Sequence, residues 1–147
     1  MFKNILVPTD GSALSGRAIK RAVQLAKEQK ARVTGFYVGP AWDPKPVGDA
    51  VLVGFVNPQQ HTANVKKTAE RFLGVVKKSA ADAGVPCKCF HAEGSYPYEK
   101  IVKAAQDNRC DLIVMASHGR RGISRLLLGS ETAKVLAHSA VPVMVCR

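Results

Sequence analysis

The densest chemistry in the sequence lies in one stretch. Met115-Ala116-Ser117-His118-Gly119 is followed by nine residues from Arg120 to Leu128, then by Gly129-Ser130. An apolar run ends, a glycine-bearing loop follows, and a Gly-Ser pair opens what reads as a helix. Glycine tolerates positive φ and lets a backbone approach a ligand closely. The first turn of a helix carries amides without intrahelical partners and the positive end of the macrodipole, which together favour a phosphate at Gly129 and Ser130. The Ser130 hydroxyl could cap that helix or bond a phosphate oxygen. Arg120, Arg121 and Arg125 cluster beside the loop and could add charge-assisted contacts. Glu131 suits a helix start electrostatically but would compete with a phosphate there. His118 invites a catalytic reading, yet no Ser/Asp partner can be placed for it. Orienting the loop through hydrogen bonds is its simpler role. The plain alternative for the whole stretch is a turn and a helix cap with no ligand.

Other chemistries are missing. No GxxxxGK[ST] occurs, which removes the phosphate loop of fast nucleoside triphosphate hydrolysis, and no GxGxxG follows the first apolar run, which argues against a dinucleotide oxidoreductase. Paired acids that could hold Mg²⁺ are not evident. Cys87, Cys89, Cys110 and Cys146 form no CxxC pair. Cys87 and Cys89 would share one face of a strand, and all four read as free thiols acting as small hydrophobes rather than as metal ligands or redox centres.

These residues need a scaffold, and the hydrophobic pattern supplies one by alternating short β-branched runs with longer runs of helical period. Residues 3–7 read as a strand ended by Pro8. Leu14, Ala18, Ala22, Leu25 and Ala26 make the stripe of an amphipathic helix, with Asp10 or Ser12 as its N-cap. Residues 32–38 form a second strand. A connection rich in Pro and Gly runs from Gly39 to Pro58, with Trp42 and Phe55 available to cover a ligand or a dimer surface. Val65, Ala69, Phe72, Leu73, Val76 and Ala80 face one way on a long helix closed by Gly84. Residues 85–92 give a third strand, and Tyr98, Ile101, Val102 and Ala105 another helix. Residues 111–116 are apolar without alternation after Asp111, as in a parallel strand covered on both faces. A helix over 130–138 and a strand over 141–146 complete the chain. Such alternation implies a doubly wound, mostly parallel sheet with helices on both faces. Ligands of such sheets bind beyond the carboxyl ends of the strands, here after Val7, Val38 and Ala116.

At 147 residues the chain is expected to form one domain, large enough to bury a core without disulfides or metals. Hydrophobic residues make up 46% and charged residues 22%, ordinary values for a globular chain. The apolar run at the start is too short for a secretion signal, and no stretch is long enough to span a membrane. A cytoplasmic location with free thiols is the expectation. The net charge of +11 favours anionic partners. It is spread along helix positions such as Lys20, Lys27, Lys66 and Arg71, which read as solvated. Without aromatic interleaving or a known motif, nucleic-acid binding rests on charge alone.

Three separated segments carry a family resemblance: Ile5-Leu6-Val7-Pro8-Thr9-Asp10-Gly11-Ser12, Asp111-Leu112-Ile113-Val114-Met115-Ala116-Ser117-His118-Gly119 and Pro142-Val143-Met144-Val145. In this order, over the whole chain, they resemble the universal stress proteins. The nucleotide-binding branch of that family carries Gly, two residues, Gly, nine residues, then Gly-Ser or Gly-Thr. This sequence keeps the second and third glycines as Gly119 and Gly129, with Ala116 at the first. The resemblance implies a Rossmann-like sheet of five strands in the order 3-2-1-4-5. It also implies an adenine nucleotide, ATP with AMP or ADP as alternatives and with or without Mg²⁺, turned over slowly if at all in stress response or signalling. Pro8 and Thr9 would line the adenine side and Asp10 would reach the ribose or adenine edge. Val38 would offer its backbone to adenine. Met115 and Ala116 would flank the ribose, and Gly119, Gly129 and Ser130 would hold phosphates. It further implies a homodimer joined through the last strand. A nucleotide-free interaction module, as in the branch lacking the glycine pattern, is the alternative; Ala116 and Glu131 favour it, while Gly119, Gly129-Ser130 and their spacing oppose it.

Overall fold

Five short strands form one sheet, ordered by how deeply each is covered. In the computed structural model, which describes residues 1–44, 57–119 and 128–147, β1 is Asn4–Pro8, β2 Arg32–Gly39, β3 Cys87–Glu93, β4 Leu112–Ala116 and β5 Val143–Cys146. The order is β3-β2-β1-β4-β5, and every ladder is parallel. The expected doubly wound topology is therefore present. β1 and β4 are buried at every residue, as central strands of a two-faced parallel sheet should be, while the edges β3 and β5 are half-covered.

Side chains alternate between the two faces of a strand, so the sheet feeds two cores. Ile5, Val7, Val33 and Val114 pack under α1 (Ala13–Gln29) and α2 (Pro58–Ala83). Leu6, Phe36, Ile113 and Met115 face the opposite way, under α3 (Pro97–Asp107) and α4 (Ser130–His138). No helix among the described residues is long and apolar enough to cross a membrane.

Local chemistry sets the element ends. The choice between Asp10 and Ser12 at the start of α1 falls to Ser12, whose Oγ accepts from Ser15 N at 3.1 Å. Asp10 instead turns the chain into the cap, its Oδ1 accepting from Ser12 N at 2.9 Å. Gly84 closes α2 at φ 68°, as expected. β3 begins at Cys87 rather than at residue 85, because Val85 N returns to Ala80 O at the helix end and Pro86 has no N–H to give a ladder. β5 starts at Val143 rather than at residue 141, because Val141 N and O are both engaged by Ser139 Oγ. β4 starts after Asp111, whose carboxylate accepts from Lys3 N at 2.8 Å and Asn4 N at 3.1 Å. Asn4, 1% exposed, also accepts from Thr34 Oγ1 at 2.8 Å and donates through Nδ2 to Asn108 O at 2.9 Å. The connection after β2 is described through residue 44, and Phe55 lies outside the described residues. Of the cysteines, only Cys110 is buried; Cys87, Cys89 and Cys146 are half-buried.

Candidate functional site

The site begins where β1 stops and β2 continues. Thr9 N donates to Phe36 O at 2.9 Å, the last bond between the two strands, after which the backbone turns away through Gly11. Gly11 has φ 76°, and a side chain there would strike the Phe72 ring. Backbone groups alternate sides along a strand. Gly39 O accepts from Gly94 N on the β3 side, and Phe36 faces β1. Val38 therefore faces the β1 side as well, beyond the last residue of β1. Its amide and carbonyl border a gap rather than a ladder, which suits the edge of a planar heterocycle.

Across the gap stands the end of β4. Ala116 lies in the strand and is not among the positive-φ residues, so its methyl sits on ordinary backbone. Its carbonyl accepts from Thr132 Oγ1 at 2.9 Å, and Ser117 N donates to Cys146 O at 2.7 Å. The returning chain then approaches closely. Gly129 N donates to Ser117 O at 2.7 Å, and a Cβ on Gly129 would stand 2.9 Å from His118 Cα and 3.1 Å from Ser117 O. Only glycine fits there without a backbone shift. Gly119 is constrained too, since a side chain on it would strike Asp10 Oδ2.

Two expectations change in detail. Gly129 is the N-cap of α4 and has committed its N–H to Ser117, so the helix-start amides left for an anion are those that follow it. Ser130 is the first helical residue and makes no capping bond, which leaves its hydroxyl to the cleft. Glu131 ties two helices together, since its Oε2 accepts from Tyr98 N at 2.9 Å, and Lys134 Nζ lies 3.5 Å from its Oε1. The start of α3 has no side-chain cap of its own, so a carboxylate from α4 supplies one. His118 Nδ1 lies 3.2 Å from Ser117 Oγ, a loop-orienting contact.

These parts enclose a cleft of about 810 Å³. Pro8, Thr9, Asp10, Val38, Met115, Ala116, His118, Gly119, Gly129, Ser130 and Glu131 all line it. Arg120, Arg121 and Arg125 lie outside the described residues. Thr68, Arg71 and Phe72 of α2 also line it, and sequence reasoning missed them. Arg71 is exposed, as a solvated helix residue should be, but its guanidinium stands 5.0 Å from the Phe72 ring centre at the cleft wall. The packing of Phe72 over Gly11 and against Tyr37 helps bring α2 here, and no local pattern announces those contacts. Asp10, Arg71 and Glu131 are the Asp, Glu, Lys or Arg side chains lining the cleft among the described residues.

Comparison with known proteins assigns the architecture. The universal stress protein family model matches residues 1–147. Universal stress protein YxiE of Bacillus subtilis is 35% identical over the full length of both chains. Universal stress protein MJ0577 of Methanocaldococcus jannaschii is 31% identical, covering all of this chain and 96% of its own. The solved MJ0577 structure superposes with a TM-score of 0.82 at 30% identity over 99% of this chain and 96% of that one. Two more distant structures share the fold: a universal stress protein in complex with cAMP (TM-score 0.71, 24% identity, 99% and 97% covered) and one from Archaeoglobus fulgidus in complex with dAMP (TM-score 0.65, 18% identity, 99% and 98% covered). Matched over its whole length by that family model, the chain belongs to the universal stress protein family.

Proposed function

We propose that this chain binds an adenine nucleotide, ATP first among the candidates, in the carboxyl-edge cleft and acts in stress response or signalling with slow hydrolysis at most. One observation carries the reading: the backbone of Val38 borders the gap past β1 on one side of the cleft, and the uncapped start of α4 opens on the other. The first suits an adenine edge and the second a phosphate. Asp10 lies between them, at the turn into α1, and suits a ribose hydroxyl. The cAMP and dAMP complexes of distant members are consistent with an adenine ligand in this fold. Catalytic machinery for rapid hydrolysis is not part of the proposal, since His118 is engaged by Ser117 rather than by a carboxylate. The protein is further proposed to be cytoplasmic, to form one domain, and to dimerise through the edge strand β5, where Met144 is 41% exposed.

The test is denaturation of freshly purified protein with chromatography of any released nucleotide, paired with ATP titration by calorimetry. Released adenine nucleotide, or saturable binding lost in Gly129→Asp, is the expected result. An empty protein that ignores millimolar ATP would overturn the proposal in favour of a nucleotide-free interaction module. The Glu131 carboxylate on the cleft wall is the feature that favours that second reading.

A further inference from the structure

At the end of the sheet opposite the cleft, two sulfurs meet. Cys87 pairs with Val33 and Cys89 with Gly35 in the ladder between β3 and β2, so both thiols project from the same face of an edge strand. Their Sγ atoms are 3.7 Å apart and share a hydrogen bond. Cys89 Sγ occupies the space that a side chain on Gly35 would fill, at 2.7 Å from the position of its Cβ. Both residues are half-buried, whereas Cys110 is buried and Cys146 lies on β5 at the other edge.

The spacing separates two chemistries. Residues i and i+2 of a strand lie about 6.6 Å apart at Cα, near the upper limit for a disulfide, and bonding would require the sulfurs to close to about 2.0 Å against the ladder. Two sulfurs on one tetrahedral centre with bonds of about 2.3 Å stand roughly 3.8 Å apart, so bridging by a third atom needs almost no movement. No group of three or more His, Cys, Asp or Glu suited to a metal ion occurs among the described residues. A zinc ion, which takes four ligands in a structural site, would lack two of them. The acceptor that fits is one with two open valences and a preference for sulfur.

We propose that Cys87 and Cys89 form a two-sulfur clip for a trivalent arsenical carrying one organic substituent. Each thiol displaces one hydroxide from R–As(OH)₂: two As–S bonds form, two As–O bonds break, two waters leave, and no oxidation state changes. The pair is prepared for the first step. The Cys89 thiol donates to Cys87 and holds it at about 7, below the usual 9.0; Lys77 adds to this, while burial opposes it. The same coupling and burial push the Cys89 thiol up, so the second proton leaves only as the bridging atom replaces the repulsion between two thiolates.

Intact-mass spectrometry of the folded protein after treatment with phenylarsine oxide tests this. The expected product carries one phenylarsenic unit less two hydrogens. It survives excess glutathione, is stripped by a small dithiol, and is absent from Cys87→Ser and Cys89→Ser but present in Cys110→Ser and Cys146→Ser. Circular dichroism of each variant separates loss of the clip from loss of the fold. In parallel, alkylation of Cys87 by iodoacetamide should rise through a midpoint near pH 7 and shift to higher pH in Cys89→Ser. No adduct on the wild type, or an adduct that persists in Cys89→Ser, would overturn the proposal whether or not the cleft binds nucleotide.

Discussion

The starts of α1 and α4 both point into the cleft, yet one is closed and the other open. At α1 the local side chains close the turn: Ser12 caps Ser15, Thr9 Oγ1 meets Ser15 Oγ at 3.1 Å, Gly11 N donates to Thr9 Oγ1, and the Phe72 ring covers Gly11. At α4 the cap is a glycine, no side chain among the described residues caps the first amides, and the Glu131 carboxylate is turned to α3. A helix start already satisfied from within has little to offer an anion, whereas an unsatisfied one gains from it. The first is scaffold and the second is the part that a ligand would complete.

The largest effect should come from breaking the closed side. Gly11→Ala forces a positive φ on alanine and drives a methyl into Phe72, for a loss of roughly 2–4 kcal/mol in urea unfolding. A variant as stable as the wild type would show that Phe72 does not seal this turn. On the open side, Gly129→Asp should weaken ATP at least about 100-fold, near 2.7 kcal/mol, by placing a carboxylate and a Cβ against Ser117 and His118. Calorimetry showing unchanged affinity would remove α4 from the phosphate site. The two serines sharpen the contrast. Ser12→Ala should cost about 1 kcal/mol of stability and leave affinity alone. Ser130→Ala should leave stability within about 0.5 kcal/mol and weaken ATP several-fold. If the two serines exchanged these phenotypes, the assignment of scaffold and ligand end would be reversed.

Much of this was legible because it is written locally. Alternating patterns placed the five strands and four helices of the described residues, and the spacing of Gly119 and Gly129 led to one side of the cleft. What stayed hidden depends on groups far apart in sequence. Arg71 looked like any solvated helix cation until α2 was packed over Gly11. Glu131 read only as a rival for phosphate, because its tie to the uncapped start of α3, 33 residues earlier, is not visible in a linear reading. Strand ends moved by one or two residues wherever a side chain or a proline took over from the ladder, as at Asp111, Pro86 and Ser139.

The clamp between Asn4 and Asp111 has a consequence for how the chain is made. β1 leaves the ribosome before the other four strands and finds β2 within a few dozen residues, but its other neighbour is tied to it by a bond spanning 107 residues. Until β4 emerges, a strand that is apolar after Asn4 has one bare edge, the condition under which nascent chains pair with the wrong partner. Truncations ending after β3 should therefore be trapped by chaperones or precipitate. The strand at the centre of the finished sheet is the earliest made and among the last to be enclosed.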